Sequence, residues 1–239
     1  MSDGAKTRKA GWVGRLWRLF CRAAGLFLLL SVLLTAIYAW LPPPATPLML
    51  LRLLDGHWIH KDWDSYDDIS PHLARAVIAA EDAKFCSHRG FDWEAIEAAW
   101  KRNQQGKRIR GGSTISNQTA KNVFLWPHRS YLRKGFEFYF TALIELTWSK
   151  KRILEIYLNV VEFGPGIYGA EAGAQAHFGK PARELTRREA ALLAAVLPNP
   201  IRWSASKPSD YIRNRAGTIQ ARMNEVPDPT GDPCPRVPR

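Results

Sequence analysis

Cysteine is scarce in this chain of 239 residues: there are three, at positions 21, 86 and 234, and none forms a C-x-x-C pair. That spacing excludes a zinc-ribbon or redox-dithiol site and supplies no disulfide framework, so unpaired thiols are the expectation. A G-x-x-x-x-G-K-[ST] loop is also absent, which excludes an ATP-type phosphate cradle. Strand-like alternation is confined to Leu50–Ile59, where it is weak, and there is no internal repeat. One Ser204-x-x-Lys207 pair occurs, but Pro208 follows it directly and no K-T-G is found downstream, so a serine nucleophile is not expected there. His88 has no second histidine at metal spacing and is expected as a structural hydrogen-bond partner.

Negative charge is the other deficit. Asp and Glu number 22 against 34 Lys and Arg, a formal charge of +12. Lys6, Arg8, Lys9, Arg15, Arg18 and Arg22 against Asp3 give the first 22 residues +5 and leave +7 on the rest, enough to favour anionic partners. Residues 23–41 (AAGLFLLLSVLLTAIYAWL) carry no charge and match a ~30 Å hydrocarbon core at helical rise. The stretch is too long for a signal-peptide core and no A-x-A site follows it, so a retained anchor is expected. The basic residues ahead of it place the N-terminus in the cytoplasm and everything after Leu41 on the outer side, which argues against nucleic acid as a partner.

The chain therefore divides into a basic segment 1–22, an anchor 23–41, a Pro-rich linker 42–56 expected as an extended spacer, a folded domain 57–225, and a tail 226–239 whose five prolines predict disorder. The domain reads as mostly α-helical. Ser70 and Pro71 open a helix that delivers Glu81 at its end. Further helices are expected from Asp92, over Thr114–Val123, Ser130–Thr147, Ser149–Val161, Ile167–Phe178, Thr186–Val196 and Ser209–Asn224. The basic, glycine-punctuated stretch Asn103–Gly112 reads as a mobile loop.

Chemistry gathers in three places. Glu81-Asp82 follows an apolar helix face. Glu137 sits among aromatic residues beside Arg133 and Lys134. Ser113, Thr114 and Ser116 lie at a helix start, where free N–H groups favour an anion, with Lys121 two turns on. Two carboxylates from separate helices facing one groove suit glycosyl chemistry, and the cationic set suits a pyrophosphate.

Five ordered motifs carry a resemblance. They are Glu81-Asp82-x-x-Phe85-x-x-His88-x-Gly90, Gly112-Ser113-Thr114-Ile115-Ser116-x-Gln118-x-x-Lys121-Asn122, Arg133-Lys134-x-x-Glu137, Ser149-Lys150-Lys151-x-Ile153-Leu154-Glu155-x-Tyr157-Leu158-Asn159, and Leu185-Thr186-x-x-Glu189-Ala190-Ala191-Leu192-Leu193-Ala194. From about His57 to Asn224 the chain resembles the monofunctional biosynthetic peptidoglycan glycosyltransferases, the family 51 type. The resemblance implies a lysozyme-like fold with a small membrane-proximal lobe, and an inverting polymerisation of lipid II with release of polyprenyl pyrophosphate. It implies Glu81 as general base and Glu137 as second carboxylate, with Ser113, Thr114, Gln118, Lys121, Asn122, Arg133 and Lys134 on the substrate. It admits a divalent cation, Mg or Mn, while no protein metal site is expected. The implied partners are lipid II, the growing glycan strand, the bacterial inner membrane and proteins of a cell-wall synthesis complex, with the catalytic domain on the periplasmic side. Asn117 departs from the family's usual glutamine and puts one substrate contact in doubt. The chain stops without a transpeptidase domain, as the monofunctional kind would. A muramidase-like hydrolase and a non-catalytic precursor-binding scaffold are the alternatives. The hydrolase leaves the cationic set without a task, and the scaffold needs neither Glu81 nor Glu137.

Overall fold

The computed structural model describes residues 4–56, 58–104, 112–128 and 130–234, with side chains from Trp12 onward except those of residues 102 and 103. It divides into two units, Met1–Leu41 and Pro42–Arg239. The first is one helix, α1 (Gly4–Tyr38), whose Trp12–Tyr38 stretch of 27 residues is long and apolar enough to cross a membrane. It begins well before the uncharged run because nothing in the basic segment breaks a helix.

The second unit opens with a correction. Residues Pro47–Leu54 form helix α2, where an extended linker and then a strand were expected. The run Leu48–Leu54 is apolar at all but Arg52, so its periodicity cannot distinguish strand from helix. The deciding signals are at its start: Pro47 takes the first helical position, and the Thr46 hydroxyl accepts from Met49 N at 3.3 Å. Strand β1 is only His60–Lys61, and a 3-10 turn covers Tyr66–Asp68.

Helices α3 (Pro71–Glu81), α4 (Trp93–Gln104), α5 (Ile115–Phe124), α6 (Tyr131–Thr147) and α7 (Lys150–Val160) follow. Strands β2 (Glu162–Gly164) and β3 (Ile167–Tyr168) come next, then α8 (Ala170–Phe178), α9 (Arg187–Val196) and α10 (Asp210–Arg222). The mostly α-helical reading holds. The helix expected from Ile167 starts three residues later because Ile167 and Tyr168 pair in a small sheet of order β1-β3-β2. β1 runs parallel to β3 (His60 opposite Ile167), and β2 runs antiparallel to it. Gly166 turns the hairpin at φ 73°, where a Cβ would sit 2.4 Å from the Trp58 carbonyl oxygen.

The core is centred on α9. Its residues Ala190–Val196 are all buried, and it packs against α3 and α10. A helix apolar on every side belongs inside a domain, and its four alanines let neighbours approach closely. Leu73, Val77 and Ile78 of α3 fill the facing side, each worth roughly 1.5–3 kcal/mol of burial. A second layer joins α5 to α6 and α7 through Ile115, Ile144, Ile153, Leu154 and Tyr157, with Phe124 stacked on Phe140 at 4.5 Å between ring centres.

Two further expectations fail together. The tail from residue 226 to 234 is ordered against the domain: Val226 is buried, Tyr66 donates its hydroxyl to Pro229 O at 2.8 Å, and Asp228 pairs with Arg75 at 3.4 Å. Cys234 is disulfide-bonded to Cys86, while Cys21 is free and exposed. Proline-rich composition argues against an independent core, but prolines also reduce the entropy lost when a segment is laid onto an existing surface. The pairing joins cysteines 148 residues apart, a relation that spacing does not encode. Residues 235–239 lie outside the described structure. So do residues 105–111, on which most of the mobile-loop expectation falls.

Candidate active site

Glu81 is the last residue of α3, placed there because Ser70 caps the helix and Leu73, Ala76 and Val77 bury its inner face. Its side chain is 15% exposed, so the carboxylate is largely withdrawn from solvent. Glu81 Oε2 accepts from Gln118 Nε2 at 2.9 Å, and Gln118 Oε1 accepts from the Tyr157 hydroxyl at 3.3 Å. That hydroxyl is held neutral, its pKa raised well above the ordinary tyrosine value by burial and by the charges of Glu81 and Asp82. The chain Tyr157–Gln118–Glu81 therefore fixes which carboxylate oxygen is engaged. The other oxygen, Oε1, has Arg215 Nη2 at 4.0 Å.

Asp82 does different work. It is buried, and its Oδ2 accepts from Ile115 N at 2.9 Å while both its oxygens meet His88 Nε2 at 3.0 and 3.1 Å. It thus ties the start of α5 to the loop after α3, and His88 has the structural role expected of it. Gly90 closes the same knot. Its carbonyl accepts from Thr114 Oγ1 at 2.6 Å and from Asn117 Nδ2 at 3.4 Å. It has φ 85°, and a Cβ there would lie 2.8 Å from Thr141 Cγ2.

The structure sorts the residues assigned to substrate. Gln118, Lys121 and Asn122 lie along α5 and line one cavity of about 150 Å³, with Leu48, Val160, Leu197 and Pro200 supplying apolar wall. Ser113 is exposed just ahead of the helix. Thr114 is the N-cap: buried, accepting from Asn117 N at 3.1 Å and donating to Gly90, its hydroxyl is already occupied within the fold. Asn117 also points inward, its amide directed to Gly90 O and to Thr141 Oγ1 at 3.4 Å. The contact doubted for Asn117 is thus an internal one between α5 and α6.

Glu137 is buried on α6 and accepts from Arg133 Nη1 at 2.9 Å and from Lys134 Nζ. The spacings i−4 and i−3 put both cations on the carboxylate's own helix face. Lys121 joins the two halves electrostatically. Burial lowers its pKa, Glu137 and Glu81 pull it back up, and Arg133 and Lys134 push it down, so all four are its charged neighbours. Both carboxylates and all three cations thus share one field.

Tyr157, Arg215 and the bracing role of Asp82 were not singled out from the sequence. Tyr157 was inside the fourth motif but was given no role of its own. Arg215 lies on α10, far along the chain, aimed by its Nε bond to Ala195 O at 3.2 Å, and nothing local signals that. Ser204 and Lys207 form an exposed turn, Lys207 N donating to Ser204 Oγ at 3.1 Å, so that pair is not a nucleophile.

The family model described as Transglycosylase matches residues 49–224. The chain belongs to the transglycosylase family. This transglycosylase is 60% identical over 201 residues to a biosynthetic peptidoglycan transglycosylase of Rhodospirillum centenum, covering 84% of this chain and 87% of the relative. It is 55% identical to the protein so named in Caulobacter vibrioides, over 81% of this chain and 86% of the relative. A Pseudomonas putida protein of the same name is 50% identical over 89% of this chain and 93% of its own length. The helical, lysozyme-like fold is the one the family implies. The match starts at Met49, so α2 belongs to the transglycosylase domain and not to a linker.

Proposed function

We propose that this transglycosylase polymerises peptidoglycan glycan strands from lipid II. The observation that carries the reading is the half-buried Glu81, pinned by Gln118 in the field of Lys121, Arg133 and Lys134. Glu81 removes the proton from the acceptor sugar's 4-hydroxyl as that oxygen attacks C1 of the donor from the face opposite the leaving group. A β-1,4 bond forms, the bond from C1 to the pyrophosphate oxygen breaks, and polyprenyl pyrophosphate departs. Pyrophosphate is already a good leaving group, so cations near it are of more use than a strong acid. Lys121 and Lys134 supply that charge. Arg133, buried against Glu137, holds the second carboxylate in place.

Among the described residues, the carboxylates around Glu81 do not fit a resident metal ion. Glu137 already accepts from two cations, and among the described residues no three His, Cys, Asp or Glu gather as ligands. A Mg or Mn ion accompanying the substrate would rest mainly on its phosphate oxygens.

The proposed location is the bacterial inner membrane, spanned once, with the second unit on the periplasmic side beside the growing strand and other cell-wall synthesis proteins. The basic residues preceding the apolar helix support that orientation. A disulfide in the second unit supports it independently, because such bonds persist in oxidising compartments.

Purified full-length protein in detergent, given fluorescent lipid II, is expected to make polymer that muramidase digests, and folded Glu81→Gln is expected to make none. No polymer from the wild type, where a known polymerase succeeds, overturns the reading. Release of fragments from purified sacculi would establish the hydrolase instead.

A further inference from the structure

The catalytic carboxylate sits five residues ahead of a covalent cross-link to the C-terminal strap. Leaving α10, the tail places Asp228 against Arg75 on α3, Pro229 against Tyr66, and Cys234 on Cys86. Arg75 and Cys86 flank Glu81 in sequence, so the strap is fastened on both sides of the base. Between Glu81 and Gly90 the loop also carries the groups that hold α5: Asp82 on Ile115 N, and Gly90 O on Thr114 and Asn117. α5 in turn presents Gln118 to Glu81.

We propose that the Cys86–Cys234 disulfide and the strap 226–234 are positioning elements of the active site, and that the disulfide is a redox-sensitive modification site. The strap holds the loop after α3 in the register that lets α5 aim Gln118 at Glu81. This inference rests on the glycosyl-transfer reading of Glu81. The bond is within reach of thiol chemistry because Cys86 is exposed. A dithiol reductant donates two electrons and two protons to the bond. It breaks the S–S linkage, leaves Cys86 and Cys234 as thiols and becomes a disulfide itself. The strap then keeps its noncovalent contacts, those with Tyr66 and Arg75 and the burial of Val226 among them, and the loop loses its covalent tether. Displacing a reacting group by 1 Å costs on the order of 100-fold. Loosening one tether of a loop that keeps its inner hydrogen bonds should cost less, roughly 3- to 30-fold in kcat.

The test has two readouts on the full-length protein in detergent. Maleimide labelling after denaturation without reductant should give one adduct, at Cys21, and three after dithiothreitol. Three adducts without reductant overturn the disulfide whether or not the enzyme makes polymer. Oxidised wild type must first polymerise fluorescent lipid II, which tests the functional reading separately. Dithiothreitol should then lower kcat and leave KM for lipid II unchanged, and oxidised glutathione should restore it. The assay is run well below the Tm of both forms, where a purely stabilising cross-link would leave kcat unaltered. Cys86→Ser/Cys234→Ser should sit at the reduced level and ignore dithiothreitol, and Cys21→Ser should behave as wild type. If the double variant does not fold, the wild-type arms suffice. Unchanged kcat while the adduct count rises from one to three overturns the positioning role.

Discussion

Gln118 donates its side-chain amide to Glu81 at 2.9 Å, and Tyr157 donates its hydroxyl to Gln118 at 3.3 Å. The base is therefore presented by α5 and α7 as much as by its own helix. Gln118→Leu keeps the volume and removes both hydrogen bonds. We predict a loss of roughly 10- to 100-fold in kcat for lipid II polymerisation, with circular dichroism unchanged. Wild-type kcat in the folded variant would show that Gln118 does not aim the base.

Burial lowers the pKa of Lys121, so its ammonium is lost at a lower pH than that of an ordinary lysine. The charged form is the one that attracts pyrophosphate. Binding should therefore weaken as pH rises: KM for lipid II is expected to climb on the alkaline side, earlier than a surface lysine would cause. In Lys121→Arg the alkaline rise should disappear, because a guanidinium does not titrate there. A KM profile from pH 7 to 10 for the two proteins decides the matter.

Arg133 and Glu137 form a buried ion pair, with side chains 10% and 4% exposed. Lys134 also reaches Glu137, so removing Arg133 leaves the buried carboxylate with one of its two cations. Arg133→Met should cost roughly 1–3 kcal/mol, less than breaking an isolated buried pair, measured by denaturant unfolding. Arg133→Met/Glu137→Met should recover part of that stability without recovering polymerisation. Equal instability of the single and double variants would count against the pair as the source of the cost.

Asp64 is the acid to follow with pH. Burial, then the neighbouring Glu171, pushes its pKa up to about 6. The folded state holds the proton more tightly than the unfolded chain does. Its favourable contribution is present below the unfolded value near 3.8 and is lost as pH rises through about 6. Asp64→Asn should therefore raise stability at pH 7.5 by roughly 1 kcal/mol, discounted for partial exposure. It should also flatten the Tm profile between pH 4 and 7, and an unchanged profile would reject Asp64 as its source.

Helix starts were legible because they are local chemistry. Ser70, Thr114, Ser130, Ser149, Thr186 and Ser209 all sit at N-caps, each accepting from a backbone N–H in the following turn. The carboxylates and cations of the site were legible for a related reason: Arg133, Lys134 and Glu137 share a helix face at spacings the sequence displays. At α2 the same reasoning failed, because an almost uniformly apolar run has no period to read.

The sequence by itself determined most helices from α3 onward, the apolar stretch that can span a membrane, and the chemical inventory of the site, since each depends on residues within a few turns of one another. Only the tertiary structure decided that Thr114 and Asn117 face inward, that Asp82 braces α5, that Arg215 reaches Glu81 from α10, and that Cys234 closes on Cys86. Those are relations between groups up to 148 residues apart. They are set by how α3, α5, α9 and α10 pack, and packing depends on the whole core at once.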